Sequence, residues 1–156
     1  SGENITHMEE GRPLFVRNTN SNFSLANFMR THLYTSLGAL KIGLDILLKE
    51  EGVKVDSITG HGGLFKTKGV GQSFLAAAMD APITVMETAG EGGAWGIALL
   101  AAYMMTGDGK KLADWLDSTV FGDMEKTVSY PEEKGREGYE KYIAAFRKGL
   151  AMYGKE

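Results

Sequence analysis

An α/β fold is predicted for this chain by three observations. Two short β-like runs, VKVDSIT and PITVM, each lead into a glycine-rich loop, and each loop opens into a helical pattern. A long amphipathic helix precedes the first of them. Strand, glycine loop and helix, repeated in that order, is the rhythm of a sheet with helical crossovers.

Taken in order, RPLFVR after the Gly11-Arg12-Pro13 turn is predicted as a short strand, and NTNSN supplies helix caps. From Ser24 to Glu51, Leu25, Phe28, Met29, Leu33, Leu37, Leu40, Leu44, Leu47 and Leu48 recur at three- and four-residue spacing, which places them on one helix face. Gly52 then gives a left-handed stop. VKVDSIT alternates and is β-branched, so it reads as a strand; GQSFLAAAMDA reads as a helix, PITVM as a strand, ETAGEGG as a second glycine loop and AWGIALLAAYMMTG as an apolar helix. KKLADWLDSTVF is predicted helical, EKTVSYP extended, and the stretch from Pro131 onward a C-terminal helix. Gly135 and Gly138 weaken the start of that helix by about 1 kcal/mol each if they are interior.

Composition narrows the function classes. A chain of 156 residues, 43% hydrophobic, suits one domain with a real core. A net charge of -3 and a pI near 5.7 argue against a nucleic-acid or anionic-membrane surface. With no cysteine there is neither a disulfide framework nor a thiolate metal site, and a reducing cytoplasm fits. The polar opening SGENITHMEEGRP has no signal-peptide pattern, and AWGIALLAAYMM is shorter than the roughly 18 residues of a membrane span.

The loop ITGHGGLFKTKGVGQ, Ile58 to Gln72, has five glycines among its 15 residues and invites comparison with phosphate cradles. Counted from Gly62, a Walker-type loop needs glycine where Thr67 stands. A dinucleotide fingerprint from Gly60 needs it at Phe65, and one from Gly90 at Trp95. All three patterns fail. What is left is the Gly62-Gly63 pair at a strand end, where a missing Cβ allows positive φ and close approach of a flat ring; a plain strand-to-helix turn uses the same residues. Lys66 and Lys68 read as solvated surface or as phosphate neutralisers. His7, His32 and His61 share no metal-ligand spacing, with His61 placed to touch a ligand. Asp80, Glu87 and Glu91 stand near the second loop, where they can hold water or Mg²⁺, but form no acid/base pair by spacing. Trp95 and Trp115 read as core or subunit-contact residues.

The segment Asp56 to Met104 resembles the C-terminal domain of the FGGY carbohydrate kinases, the xylulokinase, ribulokinase and glycerol kinase group. The matching parts are Gly62-Gly63 at a strand end, Gln72 in the next helix, the short strand Pro82 to Met86, and Gly93-Ala94 opening an alanine-rich helix. The upstream part from Ser1 resembles the same domain in a xylulokinase-like branch. The resemblance implies an actin/ribonuclease H-like ATPase domain, a mixed sheet flanked by helices. It implies that residues 1–156 are a single C-terminal, nucleotide-side domain of a larger sugar kinase whose N-terminal domain is absent from this chain. The expected substrates are ATP with Mg²⁺ and a sugar, a xylulose-type ketose being favoured, with a homodimer possible. Carried over by position, Gly62 and Gly63 back the nucleotide and Thr67 stands where glycerol kinases tend to have an asparagine near the adenine. Leu64 replaces the usual small residue and is placed to pack on the base. The catalytic aspartate and first phosphate loop of the family precede this domain, so no catalytic residue and no metal ligand is assigned here. The competing reading is a non-catalytic interaction domain whose apolar helix from Ala94 to Met105 forms a subunit interface; an actin-fold activator or acyltransferase-like ATPase is a third.

Overall fold

The structure, a computed structural model, describes residues 2–11 and 13–153, without the side chains of Glu91 and Tyr153. Two compact units divide the chain. One takes the residues before Ser57, Phe74–Ala81 and those from Pro131 onward; the other takes Ser57–Ser73 and Pro82–Tyr130.

The first unit is helical. Ser24 caps α1 (Leu25–Ser36), its hydroxyl accepting from the Asn27 amide at 3.2 Å. The predicted single helix breaks at Leu37, resumes as α2 (Gly38–Asp45) and ends in a wider π-helical turn, Ile46–Glu50. Gly38, just after the break, lies against the Phe146 ring, and a Cβ there would stand 3.1 Å from it. Gly52 follows with φ +65°, the left-handed stop the sequence predicts. α6 (Glu133–Tyr153) keeps its two early glycines as interior residues because they are contact points: a Cβ on Gly135 would stand 3.2 Å from the Ala77 Cβ, and one on Gly138 3.4 Å from the Tyr34 hydroxyl. Tyr34 meets Tyr139 edge-on at 5.0 Å and Phe74 at 5.5 Å, and Leu75 to Met79 complete this core. Burial raises the phenol pKa of Tyr139 well above its ordinary value.

RPLFVR is not a strand. Arg12 lies outside the described residues, and 13–18 pair with no neighbouring strand, so their backbone has no ladder to join. Phe15 instead packs edge-on with Phe23 and Phe28 at 6.1 and 5.6 Å, and Arg17 covers the Phe23 ring at 5.0 Å.

The second unit holds a three-stranded mixed sheet in the order β1-β2-β3. β1 (Ile58–Gly60) runs parallel to β2 (Ile83–Met86), and β3 (Lys126–Ser129) runs antiparallel to β2. Only the last part of VKVDSIT reaches β2, so the predicted strand is shortened to three residues. α3 (Val70–Met79) starts in this unit and ends in the other. The second glycine loop is a 3₁₀ turn, Glu87–Glu91, running into α4 (Gly92–Thr106); α5 (Leu112–Leu116) continues into a π-helical turn, Asp117–Phe121. Six α-helices and three strands are thus present among the described residues. Two glycines in the first loop are packing requirements. A Cβ on Gly60 would fall 2.3 Å from the Phe65 ring, and one on Gly71 2.2 Å from the Leu64 carbonyl oxygen.

In the first unit Asp45 gathers three cations: Lys41 at 3.1 Å and Lys49 at 3.2 Å on one oxygen, Arg147 at 3.0 Å on the other. Burial alone would raise its pKa, but hydrogen bonds and charge from Lys41 and Lys49 more than offset this and hold the carboxyl below its ordinary value. Since Lys41 is itself buried, Asp45→Asn strands a charge, and an expected loss of about 3–5 kcal/mol should appear in urea unfolding. A depressed carboxyl pKa stabilises above the unfolded value and stops doing so as pH falls through the folded one; the wild-type Tm should therefore drop below about pH 4 more steeply than that of Asp45→Asn. Gly71→Ala should cost roughly 1–3 kcal/mol, because the atom it meets is backbone and cannot swing away.

Candidate functional site

The glycine loop leaves β1 at Gly60 and enters α3 at Val70. Gly62 has φ +103° and Gly69 +79°, conformations that L side chains rarely adopt. The Gly62 amide donates to the Ala89 carbonyl at 2.7 Å, tying the loop to the turn after β2. Its carbonyl accepts from Phe65, and that of Gly63 accepts from Lys66, closing a short 3₁₀ turn, Gly63–Phe65. A Cβ built on Gly62, Gly63 or Gly69 meets nothing within 4 Å. The five glycines therefore divide by role: Gly60 and Gly71 admit neighbouring protein atoms, while Gly62, Gly63 and Gly69 border open space.

Thr67 lies on the other side of the 3₁₀ turn in sequence and lines a cavity of about 300 Å³ with Lys68, Gln72, Glu87, Glu125 and Lys126. Gly62 and Gly63 do not line it. The three residues assigned to nucleotide contact thus stand on one loop but not in one cavity. Lys66 and Lys68 both border this cavity, as does Glu87. Leu64 lies over Gly71, its Cγ within 2.8 Å of where a Cβ would stand. Sequence spacing had no access to Glu125 and Lys126, because only the β2–β3 pairing brings them to a loop more than 50 positions earlier.

The remaining candidates separate. His61 packs its imidazole on Gly92 at the start of α4, where a Cβ would stand 3.1 Å from Nδ1. Asp80 belongs to the first unit and pairs with Arg136 at 3.3 Å. The Glu91 side chain lies outside the described residues. His32 packs against Phe28 with ring centroids 4.6 Å apart, and His7 closes the short 3₁₀ turn Asn4–Thr6 with φ 56°. No group of three or more His, Cys, Asp or Glu among the described residues is placed to hold a metal ion. Trp115 is buried against Tyr103 at 5.5 Å, and Trp95 leans on Phe121 at 6.0 Å. One side of α4 is open to solvent, with Ile97 72% and Met104 84% exposed. No described helix is long and apolar enough to cross a membrane.

Comparison with known proteins gives a family and a fold. The sequence pattern described as "FGGY family of carbohydrate kinases, C-terminal domain" matches residues 1–105. No curated protein matches the chain. Among solved structures, ligand bound xylulose kinase from Lactobacillus acidophilus matches with a TM-score of 0.58 at 20% identity, over 80% of this chain. That match covers 24% of the xylulose kinase chain, so this sequence corresponds to about a quarter of it, and at this identity the likeness speaks for the fold. With the pattern matched over the strand, the glycine loop, α3, β2 and nearly all of α4, the chain belongs to the FGGY family of carbohydrate kinases and carries the sequence of its C-terminal domain.

Proposed function

We propose that this chain is the nucleotide-side domain of an ATP-dependent sugar kinase with an actin/ribonuclease H-like fold, and that its glycine loop forms the adenosine side of the cleft. The observation that carries the reading is the open surface at Gly62 and Gly63, at the C-terminal end of a parallel strand, in a chain of this family. A flat base can lie on backbone there without meeting a side chain. Thr67 lines the neighbouring cavity.

The reaction is transfer of the γ-phosphoryl group of MgATP to a sugar hydroxyl, with an aspartate in the preceding part of the polypeptide taking the hydroxyl proton. Mg²⁺ neutralises charge on the phosphates during transfer. Among the described residues no group of three or more His, Cys, Asp or Glu is placed to hold it. A xylulose-type ketose is the favoured substrate, in line with the name of the structural neighbour. A cytoplasmic enzyme fits the absence of cysteine.

A second reading, a non-catalytic interaction or homodimerisation domain, draws on the exposed apolar face of α4. Two measurements separate them. A Cβ on Gly63 meets nothing within 4 Å, so Gly63→Trp should fold yet raise the KM for MgATP of the full-length kinase by about tenfold or more; an unchanged KM would sink the adenosine assignment. The chain on its own should release no ADP in the presence of sugar, since half a cleft neither excludes water nor presents the base. A sugar-dependent ADP signal from it would contradict the reading.

A further inference from the structure

Gln72 is 4% exposed and sits in the first turn of α3. Its amide nitrogen donates to the Ile83 carbonyl on β2 at 2.7 Å and to the Thr127 carbonyl on β3 at 2.8 Å. Its oxygen accepts from the Thr127 hydroxyl at 3.1 Å. Both donors and the acceptor are engaged, which leaves the side chain one orientation; turning the amide over would set its oxygen against two carbonyl oxygens. A methionine would fill the same volume without polar atoms to satisfy. What the amide adds is a fixed position of the first turn of α3 relative to two strands.

From that turn the contact is continuous to the open glycine surface. Gly71, the preceding residue, lies beneath the Leu64 carbonyl so closely that no Cβ fits, and Leu64 adjoins Gly63. The Val70 amide donates to the Thr67 carbonyl at 3.3 Å, so Thr67 is carried by the same turn. Displacing the first turn of α3 therefore displaces Leu64 and Thr67 together, and Gly63 with them.

We propose that Gln72 is a positioning residue for nucleotide binding: by clamping the first turn of α3 to β2 and β3, it holds Gly63 and Thr67 in the arrangement that receives adenosine. This rests on the adenosine reading above. Gln72 acts through the loop and supplies no group to the reacting phosphates.

The test uses the full-length kinase with Gln72→Met, which removes both donors at similar volume. Assayed well below its own Tm, this variant should show a KM for MgATP raised about tenfold with kcat within about twofold of wild type. Amide hydrogen exchange should speed up at Phe65 and Val70, whose amides bond to the Gly62 and Thr67 carbonyls. A lowered Tm with unchanged KM overturns the proposal, because it reduces Gln72 to a structural bolt. Where the methionine variant fails to fold, Gln72→Glu decides: its protonated carboxyl keeps one donor and its carboxylate none, so KM should recover toward wild type between pH 7.5 and 5.5, and no recovery overturns the proposal. Gly63→Trp serves as control. Unchanged KM in that variant defeats the adenosine reading itself, whereas a raised KM there with an unchanged one in Gln72→Met removes only the role of Gln72.

Discussion

The amide of Gln72 is the point on which the second unit depends. A three-stranded sheet with strands of three and four residues has few ladder hydrogen bonds to fix a following helix. The helix that leaves the glycine loop is secured instead by a side chain that reaches the carbonyls of two strands at once. In a buried setting such bonds are strong, and leaving either carbonyl without its second partner is costly. The loop meets the first turn of α3 closely, the carbonyl and the Cγ of Leu64 both crowding the space beside Gly71.

The loop shows how one residue type serves opposite ends. Gly60 and Gly71 are glycines because protein atoms occupy the space a Cβ needs, and substitution there forces neighbours apart. Gly62 is a glycine because of its backbone angle, and Gly63 borders space that is empty. Counting glycines, as the phosphate-cradle patterns do, treats these alike. Their separation into packing and open positions leaves Gly62 and Gly63 bordering open space and sets Thr67 apart in the lining of a charged cavity.

The first unit is held by different means. Asp45 draws in two lysines and an arginine, and the tyrosines at 34, 139 and 142 meet edge-on or tilted with Phe74 beside them. The helix that the periodic leucines predicted is present, yet broken at Leu37, where a glycine accepts the ring of Phe146. Periodicity sees a continuous apolar stripe and has no means of seeing the ring that arrives from more than 100 positions later. The same limit explains RPLFVR: its apolar residues suggest a strand, but a strand exists only where another offers its hydrogen bonds.

By itself the sequence determined the alternation of strand, glycine loop and helix, the stop at Gly52, the positions of β2, α3 and α6 to within a few residues, and a motif set specific enough to indicate the family. These are local properties: side-chain period, backbone freedom at glycine and the spacing of a few residues dictate them within a short window. Tertiary structure alone decided which glycines are packed and which are open, that Glu125 and Lys126 join Thr67 around one cavity, and that Gln72 binds two strands. Each of these depends on the pairing of β2 with β3 or on the descent of the loop onto α3, contacts between segments distant in the chain that no local preference encodes.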